Sequence, residues 1–537
     1  MEQRMNDYNA YIQSTDILPC NRSWILTGNG IDHFVFSEES IPEPGDNEVL
    51  MRVDAVSICF SDIKLIRAGN DHPRVLVPLE ERPTVPGHEV SLSVMRTGKH
   101  VADMFTVGSR YIIQADIFKD GEIDTFGYTQ RGGMALYVQV KETAINGDAG
   151  CYLLPLQEHT GFSEAALVEP WACVEASYHI AQSHGITENA ELYVHPHIDI
   201  SEEDLAGARI LRDLKDAQPD CALIPSDISG EEYTDVEHAV QNGGVIGISV
   251  SENGGSLPVD AGAIHYRNLR IVAADSGDLI GRIDAENRTG LVQGGKALFV
   301  GAGGPMGQMH VQRAVELENG PEQVVVTDIS SERLEFIFGR FSETARERDV
   351  DLKLFDASGS PEELRKKLLE CSDGGFDDIV LLAPLPALVE ESQYLASSGC
   401  VINIFAGIPL GSPFMYDPEI ASEKELSFTG SSGSSLEDLK RALSMVETGI
   451  IRSDRIVRAI GGLRDLKKGV QAVADGAYAG KVVIYPHLEH LPLTALEDLA
   501  DISSEAAEKL DCGHWNRSAE RELFNTVLKG GTDEDQL

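Results

Sequence analysis

The stretch KALFVGAGGPMGQMHVQRAVEL, residues 296–317, decides the fold. ALFV is a buried apolar run of strand type. Gly301, Gly303, Gly304 and Gly307 then make a turn, and QMHVQRAVEL carries on as a helix. Glycine suits positions where the backbone takes positive φ or comes close to a phosphate. The helix start, from Pro305 and Met306, offers free N–H groups and a positive dipole end to a pyrophosphate. Counted from Gly301, the spacing is one residue longer than GxGxxG, so the role of each glycine stays open. A glycine-rich turn with only a packing role is the alternative. QVVVTDISSERL, residues 323–334, supplies a second strand ending in Asp328, with Arg333 just beyond. An acid there accepts hydrogen bonds from the adenosine ribose and repels a 2′-phosphate, which favours NAD over NADP.

Outward from this loop, LKLFD, DIVLLA, CVINIFAG and LSFTGSSG are further apolar runs, most of them separated by helical stretches. That alternation predicts a Rossmann-type, doubly wound parallel sheet over 294–445. Residues 181–293 read as an extra α/β half-domain, a degenerate Rossmann half. CALIPSDISGEEYTDVEHAVQNGGVIGISV resembles DDIVLLAPLPALVEESQYLASSGCVINIF, and Gly243 and Gly399 are 156 residues apart, as are Gly277 and Gly433. ELYVHPHID would begin this copy but has no glycine where a phosphate loop would sit. Chance similarity of short α/β units is the alternative. Residues 1–180 are β-rich, with EVLMRVDAVSI, EVSLSVMRTG and SRYIIQADI as alternating strands. SEAALVEPWACVEASYHIAQ follows as a helix with Ser163 as N-cap. The tail after 486 carries two helical stretches, and its last residues, GGTDEDQL, are expected to fray.

The chain has 537 residues, with 44 Lys and Arg against 87 Asp and Glu, a net charge of −43. Such an acidic balance disfavours nucleic acid and anionic membranes as partners. It suits solubility where salt screens self-repulsion. No apolar run is long enough for a membrane span, and the first residues do not form a signal peptide. Eight scattered cysteines without CxxC pairs point to a reduced, cytoplasmic setting.

Three short motifs could converge on one metal. SICFSDIK holds Cys59, Ser61, Asp62 and Lys64; VPGHEV holds His88 and Glu89; LVEPWACV holds Glu169. Thiolate, imidazole and carboxylate are sound Zn²⁺ ligands, and three of them leave an open position for catalysis. Spacing alone does not connect residues this far apart. A lone cysteine is more often a small buried hydrophobe, and a lone histidine a hydrogen-bonded structural residue. His195 and His197, a His-x-His, read as surface or edge residues, and Trp171 and Tyr178 as core or cleft-wall aromatics.

The chain resembles the zinc-dependent alcohol dehydrogenases of the medium-chain dehydrogenase/reductase family. The resemblance rests on C-x-S-D at 59–62, P-G-H-E at 86–89, G-G-M-A-L-Y-V at 132–138, E-P at 169–170, G-A-G-G-P-M-G at 301–307, Asp328, and the closing stretch IVRAIGGLRDLKKGVQAVADGAYAGKVVIYP. It lies towards the sorbitol dehydrogenases and L-sorbose-1-phosphate reductase-like proteins. The resemblance implies a GroES-like catalytic domain (1–180, rejoined by 446–537) and a Rossmann domain, with the active site in the cleft between them. It implies Cys59, His88 and Glu169 as zinc ligands and Ser61 as the group that takes the hydroxyl proton. Glu89 would stand behind them or replace a displaced water, and Asp62 would orient His88. Residues 90–150 hold no cysteine, so a second, structural zinc is not expected. Lys64 stands where many relatives have a relay histidine. The implied reaction moves a hydride between a secondary alcohol (a polyol, sugar or sugar phosphate) and NAD(P), and the resemblance implies a homo-oligomer built on the nucleotide-domain sheet edge. Two alternatives remain open: a zinc-free enone or quinone reductase of the same superfamily, and a non-catalytic NAD-binding scaffold.

Overall fold

Strand Val49–Ser57 is buried at all nine positions, although its sequence alternates. It can be so because it is central in an eight-stranded sheet. Its neighbours Glu89–Thr97 and Lys481–Tyr485 both pair with it antiparallel. The two charges it carries inward neutralise each other: Arg52 Nε lies 2.7 Å from Asp54 Oδ1, and Arg52 also donates to the Tyr11 carbonyl. The computed structural model describes residues 7–199, 205 and 207–530, and two compact units form it. The first runs to Cys173 and resumes at Ser434; the second is Val174–Gly433.

In the first unit, the helical stretch expected after Gly161 breaks in two, Phe162–Ala166 and Val168–Ala176. Ser163 is not its N-cap. Gly161 takes that place, and the Glu164 carboxylate reaches back to the Gly161 N–H. Ser163 Oγ instead donates to Glu520, whose buried carboxylate also accepts from Phe162 N, Tyr8 Oη and Tyr485 Oη. Glu520 sits on helix Arg517–Gly530, so this one side chain fastens the end of the described chain to helix Phe162–Ala166, which precedes the helix that carries Glu169. Before it the tail forms a 3-10 helix, Leu496–Asp501, and a one-turn α-helix, Ser504–Ala507. The last residues, 531–537, lie outside the described residues.

The second unit contains two all-parallel sheets. One has the strand order 351–356, 323–328, 296–300, 376–381, 396–404, 427–429. The other has 209–211, 191–194, 221–225, 245–249, 270–274. Apart from the edge strand 351–356, the orders correspond one for one. Helices Gly230–Ala239 and Pro386–Leu395 are ten residues each and 156 apart. Gly243 and Gly399 both take a left-handed φ, +78° and +75°. The copies diverge after their first strand. The described residues between Val194 and Arg209 form no α-helix, where the other copy has the glycine turn and Pro305–Glu316.

His195 is not a surface residue. It is 6% exposed, with Nε2 3.0 Å from Glu232 Oε1, because it follows a strand flanked on both sides within its sheet. His197 beside it is exposed. Trp171 and Tyr178 are both buried, and the Tyr178 hydroxyl lies 2.7 Å from His310 Nδ1.

Glu237, on helix Gly230–Ala239, is 2% exposed, and burial pushes its carboxyl up to about 7. The residue 156 positions on is the neutral Gln393. A carboxyl raised in the folded state favours folding below its unfolded pKa, and that advantage fades as pH rises through about 7. Glu237→Gln therefore raises stability relative to wild type at pH 8, by up to about 3 kcal/mol. The difference vanishes near pH 4.5, as urea midpoints at the two pH values would show.

Candidate metal centre and nucleotide loop

Cys59 is the N-cap of helix Phe60–Ala68, and His88 and Glu89 lie where the Pro86-Gly87 turn enters strand Glu89–Thr97. Gly87 takes φ +98°, and an added Cβ would meet Met134 and Val56 at about 3 Å, so the turn requires glycine. Asp62, fully buried in the first turn of the helix, clasps the two segments. One oxygen accepts the Cys59 N–H at 2.9 Å; the other accepts the Gly87 N–H at 3.1 Å and lies 3.3 Å from His88 Nδ1. Burial opposes charge on the His88 ring, but Asp62 and Cys59 outweigh it and raise its proton affinity well above the usual histidine range. The same polarisation makes Nε2 a better donor to a cation.

One potential ligand atom each from Cys59, His88 and Glu89 lies within 4.8 Å of the others, the one such group of three among the described residues. Glu89 is fully buried. Its Oε1 pairs with Lys481, while Oε2 is enclosed with no protein partner. A buried carboxylate oxygen left unpaired is costly unless a cation takes it. A thiol, an imidazole and that oxygen form a donor set suited to zinc.

Glu169, in the first turn of Val168–Ala176, is not part of this close group. It remains within its field: burial and Glu89 push its carboxyl up to about 7, against the pull of His88 and Lys481. Ser61 Oγ lies 3.2 Å from His88 Nε2. Lys64 is exposed on the same helix.

Two neighbours were not anticipated from sequence. Tyr128, 7% exposed, sets its ring 5.8 Å from that of His88; burial raises its pKa to about 12. Lys481 is 4% exposed, and Glu89 overcomes the cost of its burial and raises its proton affinity. The signal for Lys481 was a lone charge opening the apolar run KVVIYP; Tyr128 had none.

In the second unit, Gly301 takes φ +73°, and the N–H groups of Gly301 and Ala302 both donate to the Thr327 carbonyl. Gly307 is pressed on Ala302: a Cβ would lie 2.4 Å from the Ala302 Cα. Thus Gly301 makes the turn and Gly307 allows helix Pro305–Glu316 to pack. Gly304 caps that helix without a side chain, Pro305 occupies its first turn and Met306 follows. Asp328 accepts the Gly303 N–H at 2.7 Å and the Ser330 N–H at 3.0 Å, and the Arg333 side chain lies close beside Gly303.

Residues 45–146 match the alcohol dehydrogenase GroES-like domain family. The L-sorbose 1-phosphate reductase of Klebsiella pneumoniae is 25% identical over 504 residues, covering 90% of this chain and 93% of that protein. The mannitol-1-phosphate 5-dehydrogenase of Aliivibrio fischeri is 22% identical over 499 residues, with 90% and 93% covered. The crystal structure of 2R,3R-butanediol dehydrogenase from Bacillus subtilis superposes with a TM-score of 0.53 at 17% identity, covering 87% of this chain and 99% of that one, a likeness of fold.

Asp62→Ala leaves two buried backbone donors unpaired and should lower stability by about 2–4 kcal/mol. Asp62→Asn, which keeps an acceptor, should lose less. Equal urea midpoints for Asp62→Ala and wild type would show that the clasp is not needed.

Proposed function

We propose that this chain, a zinc-type medium-chain dehydrogenase/reductase and hence an oxidoreductase of secondary alcohols, interconverts a polyol or sugar phosphate and its ketone, with NAD as hydride carrier. The observation that carries the reading is the close approach of Cys59, His88 and Glu89 around an unpaired carboxylate oxygen. The phosphorylated substrate is supported by two relatives that span nearly the whole chain and are named for mannitol 1-phosphate and L-sorbose 1-phosphate.

A zinc ion held by Cys59, His88 and Glu89 would supply Lewis acidity that lowers the pKa of the substrate hydroxyl. Asp62 keeps the His88 ring oriented. Glu169, with its proton affinity raised, is placed to exchange a proton or to serve as a further ligand. Ser61, beside His88, accepts the hydroxyl proton as it gives up its own. Lys481 holds Glu89 in place by pairing with its other oxygen. On the nucleotide side, the first turn at Pro305–Gly307 would hold a pyrophosphate and Asp328 the ribose hydroxyls, and that carboxylate would disfavour a 2′-phosphate. A bound dinucleotide would supply the hydride acceptor. All eight cysteines are free thiols, in keeping with a reducing, cytoplasmic setting. No described helix is long and apolar enough to cross a membrane.

Wild-type protein should carry one zinc per chain by elemental analysis and reduce NAD with a panel of hexitol phosphates. Cys59→Ala should lose the zinc and, at about 4 kcal/mol of lost charge stabilisation, roughly a thousandfold in rate. Full turnover in zinc-free protein would reject the metal reading; nucleotide binding without turnover on any alcohol would reject the enzyme.

Gly303→Val would drive a Cβ to 2.5 Å from Asp328 Oδ2. NADH titration by fluorescence should show affinity reduced tenfold or more with an unchanged far-UV spectrum. An unaltered affinity would remove the loop from the nucleotide site.

A further inference from the structure

The two sheets of the Val174–Gly433 unit meet through equivalent elements. Strand Leu257–Asp260 pairs antiparallel with Pro413–Tyr416, Leu257 opposite Tyr416 and Asp260 opposite Pro413. Each leads into a helix with an aspartate N-cap, Asp260 before Ala261–Arg267 and Asp417 before Pro418–Glu423. Counted back from those caps, Pro258 and Met415 hold the same position, and they face each other directly. Equivalent strands that pair antiparallel, with equivalent residues opposed, are what a two-fold axis generates. That is the geometry of an isologous interface between identical subunits.

The surroundings obey the same symmetry. Arg270–Ala274 and Ser427–Thr429, the last strands of the two sheets, lie in contact, and helix Pro418–Glu423 of one copy packs on strand Arg270–Ala274 of the other. Ile246, Ile248, Val259 and Ile271 from the first copy share one apolar cluster with Ile402, Ile404, Tyr416 and Phe428 from the second. Glu237 Oε1 accepts the Asp260 N–H, and its counterpart Gln393 accepts the Asp417 N–H. The first copy retains this contact face, yet its described residues hold no counterpart to the glycine turn and helix Pro305–Glu316 of the second.

We propose that residues 181–293 are a built-in partner. They occupy, within one chain, the sheet edge at Ser427–Thr429 that would otherwise recruit a second copy of the nucleotide-binding sheet. An open edge is a template for pairing with another chain, and here it is closed intramolecularly. The chain does not assemble through it.

The full-length double variant Pro258→Cys, Met415→Cys tests this. Directly paired positions in an antiparallel ladder have Cα atoms about 4.5–5.5 Å apart, within disulfide reach. Mild oxidation should join 258 to 415 within a single chain, giving a product that keeps the 58.3 kDa mass of one chain. The yield should be independent of protein concentration. The two single variants control for the native thiols. A covalent dimer linked 258-to-415 would overturn the proposal, because the pairing would then be between chains. Absence of the link in protein with native circular dichroism would overturn it too. As a second readout, amide exchange at 427–429 in the wild type should stay equally slow over a hundredfold dilution; protection lost on dilution would place a second chain at the edge.

Discussion

The carboxylate of Asp62 is the point on which the candidate metal centre depends. A helix cap and a turn, separated by more than twenty residues, would otherwise leave two buried backbone donors unmatched. One acid accepts from both and steadies the His88 ring. Cys59 and His88 are thereby set at a fixed spacing before any metal arrives. Glu89 is fixed differently, by an ion pair with Lys481 in a strand from the far end of the unit. The donor set is thus assembled from local geometry on one side and long-range pairing on the other. Its one enclosed, unpaired oxygen is the place where the protein's own hydrogen bonding stops.

Much of this was legible in the sequence where the signal was local. The strand–turn–helix at 296–317 needs only nearby residues, and Asp328 follows at the expected distance. Cys59, His88 and Glu89 stood out by their motifs. Their order of closeness did not: Glu169 read as the third ligand and Glu89 as a group behind it or an alternate ligand, and the close group among the described residues holds Glu89 and not Glu169. Which carboxylate comes within reach is set by the tilt of a helix against a sheet, and no spacing encodes that. Buried charges were hidden for a related reason. Arg52, Glu520 and Lys481 look like surface residues until their partners, up to several hundred residues away, are known. Ser163 has the composition of a cap, but the Glu164 side chain bonds back to the Gly161 N–H, and Gly161, two residues before Ser163, takes the role.

The internal repeat shows the converse. Two sheets with the same strand order, equal helices and matching left-handed glycines are visible from an offset in the sequence alone. What the offset does not disclose is how the copies meet. The retained face is apolar and continuous, while the part that diverged is the glycine turn with the helix behind it. Packing constraints act on the whole interface at once, so a copy can change that turn and still hold its surface. Glu237 is a remnant of that freedom: it keeps the hydrogen bond that Gln393 makes, but in a form that ionises.

The discontinuous first unit has a consequence for how the protein comes off the ribosome. Its sheet takes strands Val457–Gly462 and Lys481–Tyr485 alongside Val49–Ser57. The Val174–Gly433 unit is continuous and can condense as it emerges, since domains fold as units during synthesis. The earlier residues must wait, with Val56 and Ser57 lacking their partners on one side, until Lys481–Tyr485 has left the exit tunnel. Nascent chains stalled before that point would carry a finished middle and an open β-sheet, a state in which chaperones have something to hold.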